Sequence, residues 1–310
     1  MTRLTFDTSG TTGEPKQVVH TLEAMMANAK AFNADVGFNK HTRMYHCLPK
    51  THMAGFLNTI LCPTLAGGTV AFGPTFSAQT AGSFWVDFLD SGANAVWITP
   101  TIAAMLLRLN RGKPRWIHGL EHVFCGTAPL PVKVRDEWLD TFHVPIQESY
   151  GTSEHMLVSV QGDEDALTEH NVGRILPCVT VEIGDNSEIM VNGTPTGDQG
   201  DLQDGKLTIT GRIKDLIKRG GVLVSPARIE EALRSVGAMV DSAVVGQPDE
   251  FWGEKIVVFA EGGDPEIIAM RCREALPKSH WPDRIEIVDK LPRNAMGKVL
   301  KGELKSMIVA

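Results

Sequence analysis

Apolar and polar residues alternate in RLTFDT (3–8), which predicts a strand running into the glycine-rich stretch DTSGTTGEPK (7–16). HTLEAMMANAKAFNADVGF (20–38) then has helical composition and a glycine stop at Gly37, so the expected order is strand, loop, helix. Farther on, Met53 to Leu65 reads as helical, TVAF (69–72) as a strand and Phe84 to Leu89 as a helix. AVWIT (95–99) is the next strand and Ile102 to Leu109 the next helix. Strands alternating with helices imply a parallel sheet covered on both faces. From Thr180 the pattern shortens into VTVEIG, SEIMVNG and GKLTITG, with turn pairs at Asp185-Asn186, Asn192-Gly193 and Asp204-Gly205; these predict a small antiparallel unit. Mixed texture resumes after GRIKDLIKRGG (211–221). A helix opens at Ser225-Pro226, an N-cap and N1 pair, and carries Ile229, Leu233 and Val236 on one face; SAVVG and KIVVFAEG follow as strands. The change of texture places a domain boundary near Lys214, giving domains over 1–213 and 214–310.

Composition narrows the classes. With 310 residues, 43% hydrophobic and 22% charged, the chain reads as a globular protein of roughly two domains. A formal net charge of −7 supplies no basic field for nucleic acid or acidic lipid, so an anion must be held by local donors. Cys47, Cys62, Cys125, Cys178 and Cys272 are scattered without a C-x-x-C pair, which argues against a disulfide framework or a zinc site and for a reducing cytoplasm. MTRLTFDTSG has no apolar run of signal-peptide type, and no stretch of about 18 apolar residues follows, so neither export nor membrane insertion is expected.

The glycine-rich stretch is not a Walker A loop, because Gly10 and Gly13 are three apart and Lys16 follows Pro15. Its glycines let successive backbone N–H groups converge on an anion, while Thr8, Ser9, Thr11 and Thr12 add hydroxyls and Lys16 adds charge. A solvated turn has the same composition, and the stretch alone does not choose between them.

The rest of the chain does choose. TSGTTGEPK (8–16) resembles the phosphate loop of the adenylate-forming superfamily: acyl- and aryl-CoA ligases, peptide-synthetase adenylation domains and luciferases. Its other motifs follow in family order. LPKTHMAGF (48–56) is similar to the segment with the gate histidine, GTAPLP (126–131) to the adenine-side loop and ESYGTSE (148–154) to the adenine and magnesium motif. TGDQGD (196–201) looks like the ribose-binding aspartate segment, GRIKDLIKRGG like the hinge, and LPRNAMGK (291–298) like the C-terminal lysine motif. The resemblance spans essentially the whole chain. It implies a large α/β domain with a small β unit and a small mobile α+β C-terminal domain. It also implies that the family's usual first subdomain, which precedes the loop in relatives, is absent, so that a homodimer or partner chain covers the face it leaves.

The resemblance assigns roles as well. Lys298 would bridge the substrate carboxylate and the α-phosphate of ATP, and Glu154 would ligate Mg²⁺. Thr8, Ser9, Gly10, Thr11, Thr12, Gly13 and Lys16 would hold the β- and γ-phosphates. Tyr150 would stack on adenine beside the backbone of Gly126, Thr127 and Ala128, with Gly151 in the same motif and Ser153 standing where a threonine is usual. Asp198 would accept both ribose hydroxyls and Arg212 support the sugar. Lys214 occupies the hinge position, and Gly220-Gly221 would let the pantetheine of coenzyme A pass close to backbone. His52 would gate acyl group and thiol and is not a base. Taken singly, each of these also fits a surface, turn or core residue. His41, His46, Cys47 and His52 have spacings that match no usual metal-ligand pattern.

The function so implied is an ATP- and Mg²⁺-dependent acid–thiol ligase that makes an acyl-AMP from a small carboxylic acid and transfers it to coenzyme A. The alternatives are a carrier-protein pantetheine or an amine as acceptor, and an inactive nucleotide-binding subunit of a larger assembly. The abbreviated stretch between Glu188 and Asp198 is similar to that of o-succinylbenzoate-CoA ligases, whereas the scarcity of charge near the motifs favours an apolar acid. Residues between His52 and Ser159 would line the acyl pocket, with Trp97, Phe124 and Met156 equally explained by core packing.

Overall fold

A second strand interrupts the expected order at the start of the chain. The structure, a computed structural model, describes residues 2–8, 16–110, 117–162, 165–167, 171–235, 241–294 and 297–309. In it, β1 (Arg3–Thr8) pairs antiparallel with β2 (Lys16–Thr21), in register from Arg3↔Thr21 to Thr8↔Lys16. The glycine-rich stretch thus joins two paired strands and does not run straight into a helix. Alternation in KQVVHT is the cause: Val18 is buried opposite Phe6, and Val19 is exposed. The helix α1 (Leu22–Val36) starts at Thr21, whose hydroxyl accepts from Ala24 N (3.2 Å), and ends at Gly37 in the left-handed conformation (φ 74°). Met25, Asn28, Ala29, Phe32 and Asn33 form its buried face, a helical spacing.

Chain contacts divide the protein into two compact units. One comprises Met1–Glu182, Val191–Thr194 and Leu202–Thr208; the other comprises Ile183–Met190, Pro195–Asp201 and Ile209–Ala310. In the first, β3 (Arg43–His46) is followed by a helical segment made of α2 (Met53–Phe56), a π-helical turn (Leu57–Leu61) and α3 (Cys62–Leu65). Then come β4 (Thr69–Phe72), α4 (Phe84–Ser91), β5 (Ala95–Ile98), α5 (Pro100–Asn110), β6 (His122–Cys125) and α6 (Val132–Phe142). Last are β7 (Ile146–Thr152), β8 (Met156–Val160) and β9 (Asn171–Ile175). The strand order is β9-β8-β7-β6-β5-β3-β4. From β4 to β7 the neighbours are parallel, as alternating strands and helices predict, whereas β8 and β9 extend the sheet antiparallel. All four residues of β5 are buried, the mark of a central strand covered on both faces. Phe32 of α1 meets Trp97 of β5 at 5.5 Å and Phe124 of β6 at 5.4 Å between ring centroids, so the helix is fixed to the sheet by aromatic packing.

The small β unit consists of β10 (Val181–Ile183), β11 (Glu188–Val191), β12 (Thr194–Gln203) and β13 (Lys206–Arg212), through which the chain passes repeatedly from one unit to the other. Two of the predicted turn pairs have both residues at positive φ: Asn192 and Gly193 at 51° and 73°, Asp204 and Gly205 at 51° and 76°. That is the conformation hairpin turns require, and Asn-Gly and Asp-Gly adopt it at least cost.

The second unit holds β14 (Ile217–Arg219), β15 (Val222–Val224), α7 (Pro226–Ser235), β16 (Ser242–Asp249), β17 (Gly253–Glu261), α8 (Pro265–Ala275), β18 (Arg284–Val288) and α9 (Lys301–Val309). Period-two alternation in β16 and β17 builds a core on each face. Val244, Ile256 and Val258 pack with Ile229 and Leu233 of α7, while Ala243, Val245, Val257 and Phe259 pack with Leu291 and Leu304. Val236, also expected on the α7 face, lies outside the described residues. Among the described residues no helix is long and apolar enough to cross a membrane, and all five cysteines are free thiols.

Candidate active site

Parallel pairing of β6 with β7, Cys125 opposite Glu148, brings the carboxyl ends of both strands to one edge, where α/β sheets bind ligands. Gly126, Thr127 and Ala128 leave β6 at that edge. A side chain on Gly126 would stand 3.2 Å from Ser149 O and 3.6 Å from Trp97 Nε1, and Thr127 has φ of 75°, an uncommon conformation for a β-branched residue. The loop is pinned at Leu130, whose N–H donates to Glu148 Oε2 (3.1 Å). Glu148 is itself buried and donates its N–H to Gln161 Oε1 (2.7 Å), while Gln147 Nε2 donates to Gln161 O (3.0 Å) and Gln161 Nε2 donates to Asn171 O. A satisfied buried network therefore backs the loop.

Tyr150 and Gly151 lie on β7, where pairing with β8 shifts register between them. Gly151 has no alternative: an added Cβ would sit 2.2 Å from Met156 O. The turn that follows is closed by Thr152, whose Oγ1 accepts from His155 N (3.1 Å), and it presents Glu154 to solvent. Ser153 O accepts from His20 Nε2 (2.7 Å), so the β1–β2 hairpin and the Glu154 turn are tied together. Ser9, Gly10, Thr11, Thr12 and Gly13 lie outside the described residues; Thr8 and Lys16 are the strand ends that flank them.

His52 is half-buried at the start of α2, its carbonyl accepting from Phe56 N (3.1 Å). His46 is buried and bonded through Nδ1 to Thr59 Oγ1 (2.6 Å), and Thr59 in turn donates to Gly55 O (2.5 Å). Burial first, then Lys50, pushes its pKa down. His46 is thus a neutral core residue beside the π-helical turn, and no group of three or more metal-ligating side chains occurs among the described residues.

The second unit gathers Asp198, Arg212, Lys214 and Lys298. Asp198 is buried on β12 and accepts from Arg212 Nε (2.5 Å). Burial pushes the Lys298 ammonium down to about 8; Arg212 and then Lys214 push the same way, and Asp198 and Asp215 oppose them. Three cations thus influence one another there, with Asp198 and Asp215 as counter-charges, an arrangement that an arriving anion would stabilise. Gly220 and Gly221 form the β14–β15 turn with φ of 57° and 81°, and Gly220 N donates to Trp252 O (2.8 Å). Arg219, the residue before them, stacks over the Trp252 ring (4.8 Å) and pairs with Asp283 (2.6 Å).

Residues 6–212 match the AMP-binding enzyme family, and residues 228–298 match the AMP-binding enzyme C-terminal domain. The chain belongs to the AMP-binding enzyme family. Mitochondrial malonate–CoA ligase of Mus musculus is 28% identical over 374 residues, covering 96% of this chain and 63% of that protein. Solved structures share the fold. ATP-bound MatB from Rhodopseudomonas palustris superposes with a TM-score of 0.88 at 24% identity, over 98% of this chain and 67% of that one. The o-succinylbenzoate CoA synthetase of Bacillus subtilis, in complex with the acyl-adenylate intermediate, gives 0.82 at 24% over 97% and 68%. This AMP-binding enzyme thus has the adenylate-forming fold over nearly all of its length, and it spans about two thirds of the length of these relatives.

Several residues that shape the site of this AMP-binding enzyme escape motif reading. Asn28 of α1 clamps β8 from both sides, Nδ2 donating to Leu157 O (2.8 Å) and Oδ1 accepting from Leu157 N (3.2 Å). The signal was an amide, like Asn33 farther along, within the buried face of a helix. Glu148, inside β7, and Gln161, just past the end of β8, carried a similar one, polar groups adjoining buried residues in the chain.

Proposed function

We propose that this AMP-binding enzyme joins a small carboxylic acid to coenzyme A in two steps, using ATP and Mg²⁺. The observation that carries the reading is the charge cluster of Lys298, Arg212 and Lys214 around buried Asp198. In the first step the acid's carboxylate oxygen attacks the α-phosphorus of ATP, the bond to pyrophosphate breaks, and acyl-AMP forms. Two anions must meet, and Lys298 neutralises both while Asp198 accepts the ribose hydroxyls and Arg212 supports the sugar. Tyr150, Gly126, Thr127 and Ala128 hold adenine, aided by the backbone approach that Gly126 permits. The loop from Thr8 to Lys16 holds the outer phosphates.

The residues present fit the groups implied. Mg²⁺ usually takes one or two carboxylates and completes its shell with phosphate oxygens and water, and a single outward Glu154 with Ser153 beside it suits that habit. In the second step the thiol sulfur attacks the acyl carbonyl, AMP leaves and the thiol proton is lost. We assign His52 as the gate between acyl and thiol channels, Lys214 as the hinge between domains 1–213 and 214–310, and the Gly220-Gly221 turn as the pantetheine contact. The relatives named for CoA ligation support coenzyme A as acceptor. A cytoplasmic setting and association with a second chain complete the reading; a dilution-resistant monomer in light scattering would count against the association.

The test is pyrophosphate release from Mg-ATP across aromatic, fatty and dicarboxylic acids, with and without coenzyme A. Release that requires one class of acid and rises with coenzyme A is the expected result. Release indifferent to coenzyme A moves the acceptor to a carrier protein or amine, and silence across the panel contradicts the reading.

A further inference from the structure

Lys298 is delivered on a short hairpin whose base and tip are fastened separately. Leu300 N donates to Pro292 O (2.8 Å), Arg293 bridges Val299, and Asn294 N donates to Lys298 O (3.0 Å). Asn294 Oδ1 accepts from Lys298 N (3.0 Å). The base is anchored where Leu291 N donates to Glu261 Oε1 (2.9 Å) at the end of β17, with the Leu291 side chain in the apolar core. The tip is anchored differently. Arg293 donates through Nη1 to Gly297 O (2.7 Å), the residue just before Lys298, and through Nη2 to the carboxylate of Asp241 at the foot of β16. Asp241 is fixed in turn, its carbonyl accepting from Glu261 N (2.9 Å) and its Oδ1 from Ser242 N (3.0 Å).

We infer that Arg293, held by Asp241, is a positioning residue that sets where the Lys298 ammonium stands and so controls acyl-adenylate formation without touching a reactant. The inference rests on the reading of Lys298 as the adenylation lysine. A planar guanidinium can serve two acceptors at a fixed angle, which an ammonium on a flexible stem does poorly. Since Leu291 holds the base independently, removing the Arg293 fork frees the tip and leaves the domain core in place. The bland alternative is a half-exposed ion pair that contributes ~0–1 kcal/mol to stability and nothing to Lys298.

The experiment is competitive labelling of lysines with trace acetic anhydride across pH, read by mass spectrometry on the full chain, with Lys255 on β17 as internal reference. In wild type Lys298 should titrate near 8. In Arg293→Ala and Asp241→Ala its midpoint should climb toward the ordinary lysine value while the Lys255 profile stays put. Arg293→Lys should rescue little and Asp241→Glu should rescue most. Acid-dependent pyrophosphate–ATP exchange should fall ~100-fold in kcat for Arg293→Ala, the cost of a displacement near 1 Å, with KM for ATP close to wild type and thiol transfer from supplied acyl-adenylate intact. An unchanged Lys298 profile in Arg293→Ala overturns the inference, as does normal exchange beside a shifted profile. Should Arg293→Ala not fold, Arg293→Lys and Asp241→Asn decide in the same way. Failure of wild type to activate any acid would sink the functional reading alone, because the labelling profile still judges the positioning.

Discussion

The candidate residues of the two units are held by opposite means. Around Gly126 and Tyr150, position comes from close-packed backbone and buried hydrogen bonds: Gly151 with no room for a methyl group, the Glu148 carboxylate under Leu130 with an amide network behind it, and the Asn28 clamp on β8. Around Lys298, position and reactivity come from charge: Arg212 and Lys214 beside the ammonium, and an Arg293–Asp241 pair steadying its hairpin. The first group should therefore break under small steric changes, whereas the second should tolerate shape and answer to protons.

The largest effect that sharpens this comparison is Gly151→Ala. Its Cβ would meet Met156 O at 2.2 Å, so the β7–β8 turn carrying Glu154 must move. We expect adenylation to fall at least ~100-fold and stability to drop by ~1–3 kcal/mol, measured by pyrophosphate exchange and urea unfolding. Activity within twofold of wild type would show that this group is not sterically fixed.

A smaller effect belongs to Lys298 and pH. Its folded-state pKa lies below the unfolded value, so the unfolded chain binds the extra proton between about 8 and 10.5. Stability should therefore rise with pH across that window, the penalty for holding the charged form being complete below it. Lys298→Met should gain ~1–3 kcal/mol at pH 7, after allowance for solvent screening, and should flatten the rise. In wild type, kcat/KM for adenylation should decline above about 8 as the ammonium is lost, whereas Gly151→Ala should keep whatever activity remains on the same pH profile.

What was legible in the sequence follows the same divide. The Asn-Gly and Asp-Gly turns, the helix of 20–38 and its stop at Gly37 are local signals, and each appears in the structure as the sequence predicts. β2 was hidden because its six residues adjoin a glycine-rich loop and a helix start, so its alternation is short. The Asn28 clamp joins residues 129 apart and the Arg293–Asp241 pair residues 52 apart. No local pattern encodes such pairings; only packing of the finished sheets brings them together. Glu148 stood inside a quoted motif, yet its place in the core, and hence its need for partners, depends on β6 and β8 flanking it.

Separating the two half-reactions in Lys298→Ala is the decisive measurement of whether Lys298 serves acyl-adenylate formation and not thiol transfer. Acid-dependent pyrophosphate–ATP exchange should fall by ~100-fold or more, while transfer from a chemically supplied acyl-adenylate to coenzyme A should proceed near the wild-type rate. Equal loss of both half-reactions, or exchange that survives the substitution, would contradict that role.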